Sequence, residues 1–594
     1  MKKFFRSIAA VALCGALFFQ FNCSAVGTNW IPVAPALHGM VASGHPLATQ
    51  AGLNVLKSGG NAIDAAVAVG LTLGVVDGYN SGIGGGCFML LRLADGRFVA
   101  IDGREQAPAA ATRGMFVRGG KADAKLSQTG ALASGVPGEV AAFDYAMNNF
   151  GSRKFADVLL PAAKLAGDGF LLGSGYAARL QTNRNELARF ESSRAVFFRD
   201  GRPLGKGDTL RQRDLANTYR AIAEQGSDWF YRGPFAEAAA KWMRASGGLL
   251  TTADFADYRV RLREPIRTKY RGCDIVSFPP PSSGGVHVAQ MLNILGRFDL
   301  KSFDEGDRLH VIAEAMKLAF ADRAFWLGDP DYVKVPRGLV SEGYAATLAK
   351  KIDLNHTTVV SGHNTPPESD RDFFPALGPS PAAPSASIAV EGEARLDDAR
   401  RDSHTTHFSV ADSAGNWVAC TCTVNTPFGS KVVVPGTGVL LNNQMDDFSA
   451  QPGAANYFGL VGAEANAIAP GKRPLSSMSP TLVLTNGAPV IALGAAGGPK
   501  IISAVLLELV AMLDLGKTPQ QAVDEPRFHQ QWSPDKLMFE KALPVRLRAA
   551  LAARGHKLAE VTLGSISQIV ARSPDGRGFV GGADARDGGS AAGW

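Results

Sequence analysis

The chain has 594 residues, of which 46% are hydrophobic and 19% are charged, and its net charge is +7. This composition allows a large core and argues against a disordered chain. The excess charge is small for the length, and no block of basic residues alternates with aromatic ones, so we expect no nucleic-acid partner.

The first residues have the pattern of a secretory signal. The basic residues Lys2, Lys3 and Arg6 precede an apolar run, residues 8–19, and small residues suited to cleavage follow it. The run is short for a membrane span, so we expect no stable membrane insertion, with an N-terminal anchor as the alternative. We therefore predict that residues 1–25 are a signal peptide and that the protein crosses the inner membrane into the periplasm, with the extracellular medium as the alternative.

The body of the chain begins at about residue 38 with mixed helical and strand patterns. Residues 61–76 are small and apolar throughout, as in a buried helix, and residues 310–326 carry apolar side chains at helical spacing. From about 356 to 404, prolines and a mixed charge run break any regular element and predict a mobile, exposed connector. Helices and strands mixed in this way predict a layered α/β or α+β architecture.

The last zone, residues 405–594, resumes dense patterning and includes an apolar helix at about 502–513. It opens with a hairpin pattern, in which a turn centred on Ala414 places Thr405 opposite Thr423. Directly opposed side chains lie about 4.5–5.5 Å apart at Cβ, so the two hydroxyls would be neighbours unless the register differs by one residue. The pattern equally supports the alternative that Thr423 is only a strand-forming residue.

Thr405 lies at the boundary between the predicted connector and the hairpin. A cut in front of it would leave one residue with both a hydroxyl nucleophile and a free α-amine. The amine can serve as the base, because its pKa of about 7.7–8.0 leaves a neutral fraction near pH 7. This is the arrangement of the N-terminal-nucleophile hydrolases, and it predicts cleavage between His404 and Thr405. The same His-Thr-Thr string at residues 356–358 has no strand pattern after it, and we interpret it as coincidence.

Removal of the signal would leave four cysteines, namely Cys87, Cys273, Cys420 and Cys422. Cys420 and Cys422 share one face of a strand, where a disulfide between them is geometrically awkward. We interpret all four as free, packed thiols. The sequence has no CxxC pair and no HExxH motif, so we expect no zinc site, no other metal and no cofactor.

Nine short motifs resemble, in order and spacing, the motif series of the γ-glutamyltransferases (γ-glutamyl transpeptidases). In the last zone they are TTHFSV (405–410), NTPFG (425–429), LNNQMDDF (441–448), PLSSMSP (474–480) and GG (497–498). In the first zone they are GGNAIDAA (59–66), DGRE (102–105), GVPG (135–138) and PPPSSGG (279–285). Each motif alone is weak, but together they are specific, and the resemblance extends from about residue 38 to the end.

The resemblance implies the N-terminal-nucleophile hydrolase fold, an α+β four-layer αββα sandwich formed by two subunits cut from one precursor. The large subunit would comprise residues 26–404 and the small catalytic subunit residues 405–594, held together as a heterodimer. Thr405 would be the nucleophile. The backbone N–H groups of Gly497 and Gly498 resemble the family's oxyanion hole, which stabilises charge that exists only in the transition state.

The resemblance also implies the substrates, namely γ-glutamyl amides such as glutathione, with the γ-glutamyl group passed to water or to amino acids and peptides. The positions that match the family's substrate contacts are Arg104, Asn425, Gln444, Asp447, Ser476 and Ser477. Arg104 and the two serines would bind the α-carboxylate, while Asp447 and the two amide oxygens would bind the α-ammonium.

Structural alternatives remain for each of these positions. Arg104 could form a surface ion pair with Glu105, and Asp447 could be one of a solvated acidic pair or a helix cap. The serines, Asn425 and the two glycines could be ordinary turn residues.

Two departures from the family pattern concern loops near this site. Pro499 and Lys500 follow the two glycines where relatives often carry Ser-Arg; Pro499 has no N–H, although the glycines still have theirs. Residues 451–473 are long enough to form a lid, and Phe458 stands where some relatives have a gating tyrosine, beside Tyr457. A phenylalanine gate would have to close by packing.

Three rival functions stay open. The first is a related acylase that cleaves glutaryl or other acyl amides; a glutaryl chain has no ammonium and would leave Asp447 unpaired, so Asp447 favours γ-glutamyl substrates. The second is a catalytically inactive binding relative, against which the presence of Thr405 and Thr423 argues. The third, a periplasmic solute-binding protein, leaves the Thr405 hairpin unexplained.

Overall fold

The structure is a computed structural model that describes residues 36–367, 373 and 404–594. The predicted signal peptide and most of the predicted connector lie outside these residues. Among the described residues, no helix combines the length and the apolarity that crossing a membrane requires.

Twenty-two strands lie in the described part of the chain. They are β1 (Gly39–Ser43), β2 (Gly86–Arg92), β3 (Phe98–Gly103), β4 (Val117–Arg118), β5 (Lys121–Ala122), β6 (Phe170–Leu171), β7 (Phe198–Arg199), β8 (Arg202–Pro203), β9 (Thr209–Leu210), β10 (Arg261–Arg263), β11 (Ile266–Tyr270), β12 (Cys273–Ser277), β13 (Thr406–Asp412), β14 (Trp417–Thr423), β15 (Thr481–Thr485), β16 (Ala488–Ala496), β17 (Phe528–His529), β18 (Leu537–Phe539), β19 (Leu558–Glu560), β20 (Ile566–Arg572), β21 (Phe579–Ala583) and β22 (Ser590–Gly593).

Eighteen α-helices accompany them in the same residues. They are α1 (Pro46–Lys57), α2 (Ala62–Val76), α3 (Ala124–Gln128), α4 (Glu139–Phe150), α5 (Phe155–Asp168), α6 (Ser174–Thr182), α7 (Arg184–Leu187), α8 (Glu191–Phe197), α9 (Arg213–Gln225), α10 (Asp228–Tyr231), α11 (Pro234–Ala245), α12 (Thr252–Asp257), α13 (Gly284–Leu295), α14 (Glu305–Trp326), α15 (Glu342–Ala349), α16 (Lys500–Leu513), α17 (Pro519–Asp524) and α18 (Val545–Ala553). The three helices predicted from the sequence correspond to α2, α14 and α16.

Two antiparallel sheets form the centre of the molecule. The first has the order β10-β3-β2-β14-β13-β1-β22, and the second has the order β11-β12-β15-β16-β20-β21. Both sheets contain strands from before and after His404 that pair directly with each other, since β13 pairs with β1, β14 with β2 and β15 with β12. A cut at His404 would therefore leave two pieces that still share both sheets.

The sheets lie face to face and helices cover their outer surfaces. Strands β13 and β14 contact β16 across the interface, α2 and α4 pack on the outside of the first sheet, and α13 and α16 pack on the outside of the second. This is the four-layer α+β sandwich that the resemblance implied, and the fold prediction is confirmed.

Helix α2 shows how the sequence sets one of these layers. Every residue of α2 is buried, which fits a sequence that is apolar except for Asp64 and Thr72. Its start is fixed by a capping box, in which the Asp64 carboxylate accepts from the Asn61 N–H at 2.8 Å and the Asn61 side chain accepts from the Asp64 N–H at 3.0 Å. The helix therefore starts where its polar cap meets the apolar run.

The first part of the predicted connector is tied to the body of the protein. The N–H of Thr357 donates to the Arg554 carbonyl at 2.8 Å, and the N–H of Thr358 donates to the Glu314 carboxylate at 2.7 Å. The indole of Trp532 donates to the Val360 carbonyl at 2.7 Å. These bonds could not be foreseen from local sequence, and they mean that any mobile connector begins later than residue 356.

Candidate active site

The hairpin formed by β13 and β14 has the register predicted from its turn. His407 faces Thr421 across the two strands, so that Thr405, one residue before β13, faces Thr423. The two threonine hydroxyl oxygens lie 2.8 Å apart and are hydrogen bonded. The Thr423 hydroxyl also accepts from the Asn425 N–H at 2.8 Å, which fixes its position. Thr423 therefore contacts the candidate nucleophile directly and is more than a strand-forming residue.

The carbonyl of the peptide bond between His404 and Thr405 lies on a backbone donor. Its oxygen accepts from the Gly497 N–H at 2.9 Å. Gly497 and Gly498 have φ of 119° and 61°, in the region that favours glycine, and they lead directly into helix α16. The donor thus stands at a helix start, where backbone N–H groups and the helix dipole favour negative charge.

One cavity gathers the predicted residues. Its wall includes every predicted catalytic and substrate-binding residue except Gly497, which reaches the site through its N–H. The predicted members of the wall are Arg104, Thr405, Thr423, Asn425, Gln444, Asp447, Ser476, Ser477 and Gly498. Their sequence positions span nearly 400 residues, so the fold alone brings them together.

An ion pair between a buried arginine and a partly buried aspartate lines this cavity. The Arg104 Nη2 donates to the Asp447 Oδ2 at 2.5 Å, and the same oxygen accepts from the Gln444 Nε2 at 2.7 Å. The Arg104 side chain is 1% exposed and Glu105 is fully buried, so the alternative of a surface pair between them is wrong. The family resemblance implies that Arg104 and Asp447 bind opposite ends of a substrate; in this structure the two side chains form an ion pair with each other.

Acceptor oxygens for a cation are also present. The Gln444 Oε1 is buried and meets no hydrogen-bond donor among the described residues. The amide nitrogen of Asn425 is engaged, donating to the Asn443 carbonyl at 3.0 Å, and Asn425 itself has a φ of 80°.

Asp446 is buried as well: it accepts from the Ser127 hydroxyl at 2.5 Å, and burial raises its pKa to about 6. The alternative of a solvated Asp446–Asp447 pair is therefore wrong.

An arginine that sequence reasoning missed also lines the cavity. Arg323, on α14, donates from Nη2 to the Ser477 Oγ at 3.1 Å and from Nε to the Ser283 Oγ at 2.9 Å. No carboxylate forms an ion pair with it among the described residues, although the Asp447 charge acts on it. Burial lowers the pKa of Arg323 to about 10, so it remains charged near neutral pH. Arg323 lies in the predicted helix 310–326. An arginine in a helix that is otherwise buried was the one sequence signal that could have pointed to a functional role for it.

Two residues of the segment 451–473, Phe458 and Leu460, line the cavity; whether the segment acts as a lid stays a prediction. Phe458 and Tyr457 lie against the His404 ring, with ring centroids 5.8 and 5.4 Å away. A Cβ added at Gly498 would come within 2.6 Å of the Phe458 ring. Gly498 is therefore required for this close packing, and the contact made by Phe458 is apolar.

Two groups of side chains have the composition of metal ligands. One consists of the thiols of Cys87, Cys420 and Cys422, and the other of His310, Glu314 and His556. The side chains of the second group already have partners. The His310 Nδ1 and the His556 Nε2 are hydrogen bonded at 2.8 Å, and the Glu314 carboxylate forms a 2.9 Å ion pair with Lys317. Neither group lines the cavity that contains Thr405.

The fold defines the class: it is the αββα sandwich of the N-terminal-nucleophile hydrolases, in which Thr405, hydrogen bonded to Thr423, is the candidate nucleophile. The family model described as Gamma-glutamyltranspeptidase matches residues 48–594. The chain belongs to this family and is an enzyme of the γ-glutamyltransferase class, so the resemblance found from the motifs is confirmed.

Individual relatives cover nearly the whole chain. The glutathione hydrolase proenzyme of Escherichia coli (strain K12) is 46% identical and aligns over 91% of this chain and 89% of its own length. The acylase ACY 1 proenzyme of Pseudomonas sp. (strain SE83) is 38% identical, with 91% of each chain covered. Among solved structures, cephalosporin acylase from Bacillus halodurans superposes with a TM-score of 0.80 at 30% identity, covering 97% of this chain and 99% of that one.

Proposed function

We propose that the chain cuts itself between His404 and Thr405. The 2.9 Å bond from the Gly497 N–H to the His404 carbonyl supports this, because it would stabilise negative charge on that oxygen. Attack by the Thr405 hydroxyl on the His404 carbonyl carbon would transfer the acyl group from nitrogen to oxygen. Water would then hydrolyse the ester and leave Thr405 with a free amine. The products are a large subunit, residues 26–404, and a small subunit, residues 405–594.

Turnover then follows from the same groups. The Thr405 hydroxyl attacks the γ-carbonyl of a γ-glutamyl amide while the Thr405 amine takes its proton. The N–H groups of Gly497 and Gly498 stabilise the oxyanion. The proton passes to the leaving amine, and a γ-glutamyl ester on Thr405 remains. Water or the amine of an amino acid or peptide attacks this ester and releases glutamate or a new γ-glutamyl amide. Thr423 holds the nucleophile through its 2.8 Å hydrogen bond.

The observation that carries the substrate assignment is the Arg104–Asp447 pair beside Thr405. A buried guanidinium and a carboxylate that is only 12% exposed, 2.5 Å apart, form a dipole that matches a zwitterion. The α-carboxylate of a γ-glutamyl group would bind Arg104 with Ser476 and Ser477, and its α-ammonium would bind Asp447, Gln444 and Asn425. The unpartnered Gln444 oxygen supports the ammonium position. Glutathione is the natural γ-glutamyl amide that fits.

An acylase acting on glutaryl amides is the second candidate, favoured by the 38% identity to a protein named as an acylase. The two differ at the α-ammonium, which a glutaryl group lacks. Asp447→Asn should lower kcat/KM for a chromogenic γ-glutamyl anilide by about tenfold or more, because a charge-assisted hydrogen bond is lost. The glutaryl anilide should be affected far less.

The outcomes separate the proposals. Equal losses for both anilides would remove the ammonium role of Asp447, and faster turnover of the glutaryl anilide by the unaltered enzyme would favour the acylase.

We also propose that residues 1–25 direct the protein to the periplasm. Cells that express the full chain can be fractionated and the N-terminus of the product sequenced. This experiment tests the export proposal separately from the catalytic ones.

A further inference from the structure

Three thiols meet behind the strand that carries Thr423. Cys420 and Cys422 lie on β14, and Cys87 lies directly opposite Cys422 on β2. The three sulfur atoms all lie within 4.8 Å of one another, and the Cys420 and Cys422 sulfurs are 3.7 Å apart. All three residues are fully buried beneath α2 and α4. We refer to Cys87, Cys420 and Cys422 as the thiol cluster.

A buried acid lies next to the thiol cluster. Glu139 is the first residue of α4 and is fully buried, and neither of its carboxylate oxygens makes a hydrogen bond of standard geometry. The Cys422 thiol and the Gly82 N–H are the donors close enough to act on this carboxyl. A buried carboxyl that is so poorly satisfied is costly, so its position beside the thiols calls for an explanation.

The geometry points to a structural metal site. We propose that the thiol cluster binds one zinc ion through the sulfurs of Cys87, Cys420 and Cys422, and that Glu139, whose carboxylate lies outside this 4.8 Å group, moves in as the fourth ligand. Zinc–sulfur bonds of about 2.3 Å at tetrahedral angles place two sulfurs about 3.8 Å apart, and the Cys420–Cys422 separation of 3.7 Å matches this. Binding would displace one proton from each thiol and one from Glu139. The resulting site carries the same formal charge as a four-cysteine zinc site.

The site lies outside the catalytic cavity and needs no step of the reaction. Its effect would be mechanical: Cys422 directly precedes Thr423, so a metal that joins β2 to β14 would brace the strand that positions the Thr405 hydroxyl. The cluster is closed to solvent, so the ion would enter while the chain folds. Sequence spacing hides the site because Cys87 lies more than 300 residues from its partners.

The test is the metal content of the full chain expressed in zinc-supplemented medium and purified without chelators. Elemental analysis by inductively coupled plasma mass spectrometry should find about one zinc per chain in the unaltered protein. The control Cys273→Ser, which removes a free cysteine outside the cluster, should contain the same amount. The double variant Cys420→Ser, Cys422→Ser should lose at least nine-tenths of it. Glu139→Gln should lower zinc occupancy while keeping a side chain of similar size.

Two further measurements on the unaltered protein test the metal site even if the double variant fails to fold. Protein grown with cobalt in place of zinc should show thiolate-to-cobalt charge-transfer absorption, and unfolding in a chelator should release the metal and expose three alkylatable thiols in addition to Cys273. Unaltered protein without metal, with all three thiols free, would mean that the cluster is packing only. A Cys87–Cys422 disulfide in peptide maps of unreduced protein would equally overturn the metal site.

Discussion

The carbonyl oxygen of His404 accepts a hydrogen bond from the Gly497 N–H at 2.9 Å while the chain is continuous between His404 and Thr405. Gly497 is also one of the two donors that we assign to the oxyanion of the substrate. One backbone group would therefore serve both self-cleavage and turnover. A change at Gly497 should then impair both reactions, whereas a change in the substrate pocket should impair turnover alone.

We predict that Thr405→Ala remains a single chain on a denaturing gel, because it lacks the hydroxyl that attacks the preceding carbonyl. Thr405→Ser keeps a hydroxyl and should still yield two pieces, more slowly. Mass spectrometry of the small piece should give a mass that starts at residue 405. Two pieces of ordinary size from Thr405→Ala would contradict the assignment of Thr405 as the nucleophile.

We predict that Gly497→Ala slows both self-cleavage and turnover by roughly 10²–10³-fold, the cost of losing one oxyanion donor in comparable sites. The φ of 119° strains a side chain there, and the new Cβ would lie 2.9 Å from the Ser565 Cα, so the N–H must shift. Gly576→Ala is the matched control, because Gly576 also has a positive φ, 71°, but has no atom within 4 Å of the added Cβ. Pulse-chase analysis of cleavage and kcat on the purified enzyme measure the two effects.

The sequence predicts those contacts of the site that join residues close together in the chain, and it does not predict contacts between distant residues. The Thr405–Thr423 contact followed from one turn and the two-residue period of strands, because the hairpin closes within twenty residues. The Arg104–Asp447 pair did not, since the two charges lie 343 residues apart and meet only in the folded cavity. The helix containing Arg323 could be predicted, but a helical pattern does not say which of its polar residues enters a distant pocket.

The pH dependence of stability should report on Glu105. Burial raises the pKa of Glu105 from 4.5 to about 8, so the folded protein holds this proton more tightly than the unfolded chain does. Its contribution to stability is therefore full below about pH 4.5 and is lost as the pH rises towards about 8. Glu105→Gln should flatten the fall in Tm across this range by roughly several degrees.

The control for this prediction is Glu342→Gln, which makes the same substitution at a side chain that is 81% exposed. Calorimetry at several pH values between those limits compares the three proteins. If the Glu105→Gln profile ran parallel to that of the unaltered protein, the raised pKa of Glu105 would be contradicted.

The last prediction concerns Arg323, which we interpret as a positioning residue. Its Nη2 donates to the Ser477 Oγ at 3.1 Å, which leaves the serine hydroxyl hydrogen free to donate to a substrate carboxylate. Arg323→Lys keeps the charge but loses the fork that holds Ser477 and Ser283 together. We expect the KM for a γ-glutamyl anilide to rise by about tenfold or more, the range for a hydrogen bond to a charged group, with little change in kcat.

Two comparisons distinguish positioning from general damage. A 4-aminobutyryl anilide has the ammonium but no α-carboxylate, so its slower turnover should respond little to Arg323→Lys. In a double-mutant cycle, Arg323→Lys should add little to Ser477→Ala if the arginine acts through that hydroxyl. Additive losses, or equal losses for the two anilides, would assign Arg323 to the stability of the fold. Coupled losses confined to the carboxylate-bearing substrate would place Arg323 behind the α-carboxylate subsite.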